Sequence, residues 1–259
     1  MKQQLIFFDI DGTLLDHDKQ LPLATKQAIG ALKEKGHEVA IATGRAPFMF
    51  EELRKELEID TYVSYNGQYV VANNKVLYKN PLSTETLAAL TRAAATNDHP
   101  LVYMDHEDMK ATVENHPYME ESMSTLKIER YPTHNPKYLE EREIYQSLLF
   151  CKNEDEAQYA DAFEQFRFVR WHPLSTDVLP AGGSKARGLQ AVMDAFDFTA
   201  ERVYAFGDGL NDIEMLQFVG NSVAMGNAPD DVKKAAKHVT KDVQENGILH
   251  GLEMVGLLK

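Results

Sequence analysis

The chain is poor in several things that would otherwise point to common classes of protein. Among its 259 residues there is one cysteine, Cys151. A single thiol excludes an internal disulfide framework and fits a reducing, cytoplasmic compartment. The early apolar stretch Leu5–Phe8 is too short for the core of a secretion signal. No apolar run approaches the roughly 18 residues of a membrane span. Positive charge is scarce as well. Lys and Arg total 27 against 40 Asp and Glu, a net charge of −13 without any Lys/Arg run. Such a field repels nucleic-acid backbones and anionic lipid, so neither is expected as a partner. Nine histidines occur, none at a metal-ligand spacing such as His-Glu-x-x-His. Two phosphate-binding loops are also missing. There is no Gly-x-x-x-x-Gly-Lys-Ser/Thr, and Gly207-Asp208-Gly209 is followed by Asp212 where a dinucleotide fingerprint needs glycine.

What is present is an alternation of buried runs and helical stretches. Leu5–Phe8, Val39–Ala42 and Tyr62–Ser64 read as strands buried on both faces of a parallel sheet. Between them, Ile29 and Leu32 share one helical face with Thr25 as N-cap and Gly36 as stop, and Phe50, Leu53 and Leu57 share another. A hairpin follows, turning at Asn73-Asn74. The pattern resumes late. A helix starting at Ser184 carries Leu189, Val192 and Met193 inward, then come the run Val203–Phe206, a helix near Asp212–Phe218, the strand Ser222–Met225 and a helix after Pro229. The stretch from Ser83 to Gly182 has its own helices and strands and reads as an insertion. The expected fold is α/β: a Rossmann-like, doubly wound parallel sheet built from residues 1–82 and 183–259, with an inserted α/β domain at 83–182.

Polar clusters sit where the buried runs end. Asp9-Ile10-Asp11-Gly12-Thr13 follows the first run, Thr43-Gly44-Arg45 the second, and Gly207-Asp208-Gly209-Leu210-Asn211-Asp212 the late one, with Lys185 opening the preceding helix. Open α/β sheets bind ligands outside the carboxyl ends of their strands, so these groups should converge. Carboxylates of Asp9 and Asp208 suit Mg²⁺, which takes oxygen ligands from one or two carboxylates and a substrate phosphate. A carboxylate can also attack phosphorus, and Asp11, two residues on, is placed to protonate a leaving oxygen and then activate water. Lys185 and the backbone amides after Asp9 and Thr43, those of Ile10 and Gly44, would steady an anionic transferring group. The expected chemistry is Mg²⁺-dependent phosphoryl transfer.

These motifs resemble those of the haloacid dehalogenase superfamily, and within it the Cof-like phosphatases. Asp-Ile-Asp-Gly-Thr-Leu-Leu-Asp from Asp9 to Asp16, Ala-Thr-Gly-Arg, Gly-Ser-Lys and Gly-Asp-Gly-x-Asn-Asp match in order, and Ser64-Tyr65-Asn66-Gly67 precedes the insertion. The resemblance implies Asp9 as nucleophile and metal ligand, and Asp11 as general acid/base that binds Mg²⁺ through its carbonyl. It implies Thr43, Gly44 and Asn211 on the phosphoryl group, Lys185 between phosphate and Asp9, and Asp208 on the metal with Asp212 beside it. Arg45 and Asn66 would line the approach. The insertion would be a cap that chooses the substrate, hinged near Pro81–Ser83 and Pro180–Gly183, with its deciding contacts around Tyr103–Met123 and Arg130–Glu143. The implied function is hydrolysis of small phosphorylated metabolites of the sugar phosphate, flavin mononucleotide or pyridoxal phosphate class. A phosphomutase using the same site and a phospho-acceptor signalling protein are the rival readings. Sequence leaves the oligomeric state open, with monomer as the default.

Overall fold

The computed structural model describes residues 2–126, 128 and 130–259. It divides into two compact units, one made of Met1–Arg45, Phe50–Lys79 and Ser184–Lys259, the other of Ala46–Met49 and Asn80–Gly183.

The first unit begins with β1 (Leu5–Phe8), α1 (Leu23–Glu34), β2 (Glu38–Ala42), α2 (Glu51–Leu57), β3 (Tyr62–Ser64) and the hairpin of β4 (Tyr69–Ala72) and β5 (Lys75–Lys79). Next come the elements of the second unit: α3 (Thr84–Ala95), β6 (Leu101–Met104), β7 (Met109–Ala111), α4 (Pro117–Thr125), β8 (Thr133–His134), α5 (Tyr138–Glu141), β9 (Gln146–Leu149), α6 (Asn153–Ala162), β10 (Phe166–His172) and β11 (Ser175–Pro180). The chain then returns to the first unit through α7 (Lys185–Phe196), β12 (Val203–Gly207), α8 (Ile213–Phe218), β13 (Asn221–Ala224), α9 (Asp230–Ala235), β14 (His238–Val239) and α10 (Gly247–Met254).

The sheet of the first unit runs β14-β13-β12-β1-β2-β3-β4-β5, parallel as far as β3 and antiparallel through the hairpin. All four residues of β1 are buried because both its faces are covered. Ile6 and Phe8 join Ile29, Leu32, Ile248 and Leu252 of α1 and α10. Leu5 and Phe7 join Leu189, Val192 and Met193 of α7 and Met215 and Leu216 of α8. The period-two alternation of side chains thus feeds two separate cores. Phe8 pairs in register with Phe206, and the two rings stack 5.0 Å apart. That register aligns the ends of β1 and β12, and with them the acidic loops that follow.

The second unit is built on a sheet of order β10-β11-β9-β6-β7-β8, antiparallel except between β7 and β8. One face packs Leu101, Tyr103, Leu149 and Val178 against Leu87, Leu90 and Ala94 of α3 and Tyr159 of α6.

Local details depart from the expected caps and ends. Helix α1 starts after Pro22, with Thr25 buried in its first turn, because proline presets the helical entry without needing an N–H partner. Ser184 is the N-cap of α7, but its side chain makes no capping hydrogen bond. Among the described residues no helix is long and apolar enough to cross a membrane.

Candidate active site

The carboxyl ends of β1, β2 and β12 and the start of α7 place the polar motifs together within the first unit. Asp9, one residue past β1, donates its backbone N–H to Phe206 O at 2.9 Å and is itself buried. Lys185, the first residue of α7, is 1% exposed. Its Nζ donates to Asp9 Oδ1 and to Asp212 Oδ1, each at 2.5 Å. The second oxygen of Asp212 accepts from the backbone N–H groups of Asp208 at 3.0 Å and Gly209 at 2.9 Å. Asp212 therefore clamps the loop after β12 while it anchors the lysine.

Asp208 is held differently. Thr13 Oγ1 donates to its Oδ1 at 2.9 Å and Asn227 Nδ2 to its Oδ2 at 3.1 Å. The same Asn227 nitrogen donates to Gly12 O at 2.9 Å, and Asn227 Oδ1 accepts from Val243 N at 3.1 Å. Neither Thr13 nor Asn227 was assigned a role from sequence. The signal that marks Asn227 is a polar side chain just after a buried strand end, the same signal that marks the other loops. Gly12 has φ +76°, and a Cβ there would lie 2.2 Å from Asp208 Oδ2. Only glycine allows that backbone conformation and that approach together.

Asp11 points elsewhere. Its carboxylate is gripped by Arg45, through Nε at 2.8 Å and an NH2 contact at 2.6 Å, and by Lys19 Nζ at 2.5 Å. Thr43 is buried, and its hydroxyl accepts from Arg45 N at 3.1 Å, which fixes the turn through Gly44. Asn66 sits at φ +51° with its N–H donated to Thr43 O at 3.0 Å, while its Oδ1 accepts from Asn211 Nδ2, also at 3.0 Å. Ile10 is buried directly after Asp9, and its carbonyl accepts from Leu15 N at 2.8 Å. Gly67, at φ +97°, brings the 65–67 turn so close to α7 that a Cβ would lie 2.0 Å from Ser184 O. That contact seats the helix whose first residue is Lys185. The residues of the strand-end motifs, with Asn66 and Lys185, thus all lie in the first unit.

Its electrostatics are unbalanced. Oxygens of Asp9, Asp208 and Asp212 all lie within 4.8 Å of one another. Three carboxylates face one ammonium. Burial and the neighbouring Asp212 push the Asp9 carboxyl up to about 8, although Lys185 pulls it down. Burial pushes Asp208 up to about 6, opposed by the Thr13 hydrogen bond and reinforced by Asp212. For Lys185 burial works against the charge, yet Asp212 and Asp9 together hold its pKa raised. Asp11 behaves oppositely: burial alone would raise it, but Arg45 and Lys19 hold its carboxyl below the usual range. An all-oxygen donor set with excess negative charge fits a hard divalent cation, which would relieve the repulsion that raises Asp9 and Asp208.

The comparisons with known proteins agree with this geometry. A family model described as haloacid dehalogenase-like hydrolase matches residues 6–252. The chain belongs to that family, and with it to the phosphoric monoester hydrolases of the haloacid dehalogenase (HAD) superfamily. It is 49% identical over 259 residues, the whole of both chains, to the Bacillus subtilis protein named "Putative phosphatase YkrA". A crystal structure of a hypothetical protein from Geobacillus kaustophilus superposes with a TM-score of 0.96 at 55% identity, covering 99% of this chain and 100% of that one. The HAD subclass IIB sugar phosphatase BT4131 superposes at 0.85 with 30% identity, covering 99% and 100%.

Proposed function

We propose that the chain is a Mg²⁺-dependent phosphatase that hydrolyses small phosphorylated metabolites through an aspartyl-phosphate on Asp9. The observation that carries this reading is the buried bridge of Lys185 between Asp9 and Asp212, beside a third carboxylate from Asp208. Asp9, Asp208 and the Asp11 carbonyl would hold the metal, with Asp212 next to it. When bound, Mg²⁺ neutralises charge on the phosphoryl oxygens.

The chain's own residues divide the rest of the work. Lys185 favours the ionised form of Asp9 and aims it, and Thr43, Asn211 and the amides of Ile10 and Gly44 hold the phosphoryl oxygens. Asp9 attacks phosphorus, the bond to the leaving oxygen breaks, and Asp11, protonated once it has let go of Arg45 and Lys19, gives that oxygen its proton. Asp11, now a carboxylate steadied by Arg45 and Lys19, takes a proton from water. The water oxygen attacks the phosphorus, the Asp9–phosphorus bond breaks, and inorganic phosphate leaves. Arg45 and Asn66 line the approach.

In this reading the unit inserted at 83–182 is the cap, which excludes water and chooses the substrate. The sugar phosphatase among the similar structures supports a sugar or polyol phosphate within the wider class that includes flavin mononucleotide and pyridoxal phosphate. A buried single thiol supports a cytoplasmic location.

Phosphate release from a panel of phosphorylated metabolites, with and without Mg²⁺ and with Asp9→Asn as control, tests the proposal. Metal-dependent turnover that disappears in the variant is expected. Transfer of the phosphoryl group to a second metabolite without release of phosphate would move the assignment to a phosphotransferase.

A further inference from the structure

One face of the inserted unit's sheet carries polar groups that the protein leaves unsatisfied. On the face opposite α3 and α6, Asp177 of β11 lies between Leu148 of β9 and Val169 of β10 in register. Gln146 stands two residues along β9 on that same face. Ser175 stands two residues back along β11, paired with His172. The register of β10 slips between Arg170 and His172, which makes Trp171 the extra residue, its ring 5.8 Å from that of His172.

Three of these groups have buried polar atoms without a hydrogen-bond partner: Gln146 Oε1, Trp171 Nε1 and Ser175 Oγ. Ser175 is 0% exposed and Gln146 5%. The Trp171 N–H and the Gln146 amide lie near enough to the Asp177 carboxylate to oppose the effect of burial, though the indole makes no hydrogen bond of good geometry. Among the described residues Asp177 has no ion-pair partner, and burial pushes its carboxyl up to about 7. Trp171 and Asp177 keep partial exposure, so the cluster opens to solvent on one side. Unpaired buried polar atoms cost folding free energy, and three such side chains around one carboxylate are a cost that ligand binding would recover.

We propose that Gln146, Trp171, Ser175 and Asp177 form a binding site for a polyhydroxylated compound, a sugar or sugar alcohol. The inventory of groups selects that class. Asp177 and Gln146 Oε1 accept, Trp171 Nε1 donates, and Ser175 does both. A simple cation would leave the indole N–H unpaired, and an anion would meet Asp177. Neighbouring hydroxyls give and accept at once, and their C–H face packs on an aromatic ring. The site deepens the reading of the insertion as the unit that chooses the substrate, and it rests on that reading only for what the ligand belongs to. It also lies outside Tyr103–Met123 and Arg130–Glu143, where the deciding contacts were expected.

Trp171 is the only tryptophan of the chain, so its fluorescence reports on this cluster alone. The full chain is titrated with free ribitol and free glucose, and separately with ethylammonium and inorganic phosphate. A saturable change with ribitol or glucose is expected, weakened about tenfold or more in Asp177→Leu and in Gln146→Leu and retained in Asp9→Asn. Should Asp177→Leu not fold, Gln146→Leu and Ser175→Ala carry the same test. No saturable change with either polyol, equal affinity in wild type and variants, or a response to ethylammonium instead overturns the proposal. Polyol binding in a protein that releases no phosphate from any ester would sink the phosphatase reading and leave this site standing.

Discussion

Lys185 Nζ lies 2.5 Å from Asp9 Oδ1 across 176 residues of chain, inside a site where the lysine is almost wholly buried. The pair joins the end of the first strand to the start of α7. Lys185 is also the cation that two buried carboxylates share, so under the proposed mechanism it is the place where catalysis and stability are coupled.

Replacing Lys185 by Met should abolish turnover and destabilise the fold at neutral pH. Removing one partner of a buried ion pair costs about 3–5 kcal/mol because the remaining charge is left uncompensated. Here two carboxylates lose their partner. Urea unfolding at pH 7 and at pH 5 checks this: the deficit should shrink at the lower pH, as Asp9, whose carboxyl is pushed up to about 8, takes up a proton.

Stability of the metal-free protein should fall as pH rises through the site's own titration range. Asp9, up to about 8, and Asp208, up to about 6, both lie above the ordinary aspartate value of 3.8. Between those limits the folded state binds more protons than the unfolded one, so the slope of unfolding free energy with pH is negative. A divalent cation needs ionised carboxylates. Added Mg²⁺ should therefore raise Tm more at pH 8 than at pH 5, which thermal melts at several pH values will show. An equal shift at both would contradict the placement of the metal among these carboxylates.

Asp11→Asn should lower turnover by roughly 10²–10⁴-fold, the usual worth of a general acid/base. With a substrate whose leaving group needs no proton, the first step survives and the second, which needs a base for water, stalls. Intact-mass measurement after rapid quenching should then find one phosphoryl group per chain, absent in the double variant with Asp9→Asn.

Gly67→Ala should cost both stability and activity, whereas Gly36→Ala should cost only stability, and less of it. Both glycines have positive φ, +97° and +79°, but a Cβ at 67 would lie 2.0 Å from Ser184 O while one at 36 meets nothing within 4 Å. The backbone term is of order 1–3 kcal/mol at each. Only the substitution at 67 pushes on α7 and so on Lys185. Tm and kcat measured on both variants separate the two effects.

Much of the first unit was legible because its elements are local. Leu5–Phe8 is an unbroken apolar run, and a strand covered on both faces requires one. Polar residues directly after such a run must leave the sheet at its carboxyl end, so Asp9, Thr43 and Asp208 could be placed before any contact was known. The insertion was harder to read. Strands β6 and β7, at Leu101–Met104 and Met109–Ala111, went unassigned because segments of four and three residues carry too little periodicity. The cap of α1 was misplaced at Thr25 because a good capping side chain outweighed the quieter signal of Pro22.

The sequence by itself determined which residue types stand at the strand ends, and so the chemistry available to this protein. Only the tertiary structure decided how they pair. Asp11 lies two residues from Asp9, yet it is held by Arg45 and Lys19 while Asp9 shares Lys185 with Asp212, and Asn227 reaches back to the Gly12 loop. Short-range pattern specifies backbone direction. The partner of a charged side chain is set by the register of strands far apart in the chain, and that register follows from burying two cores at once.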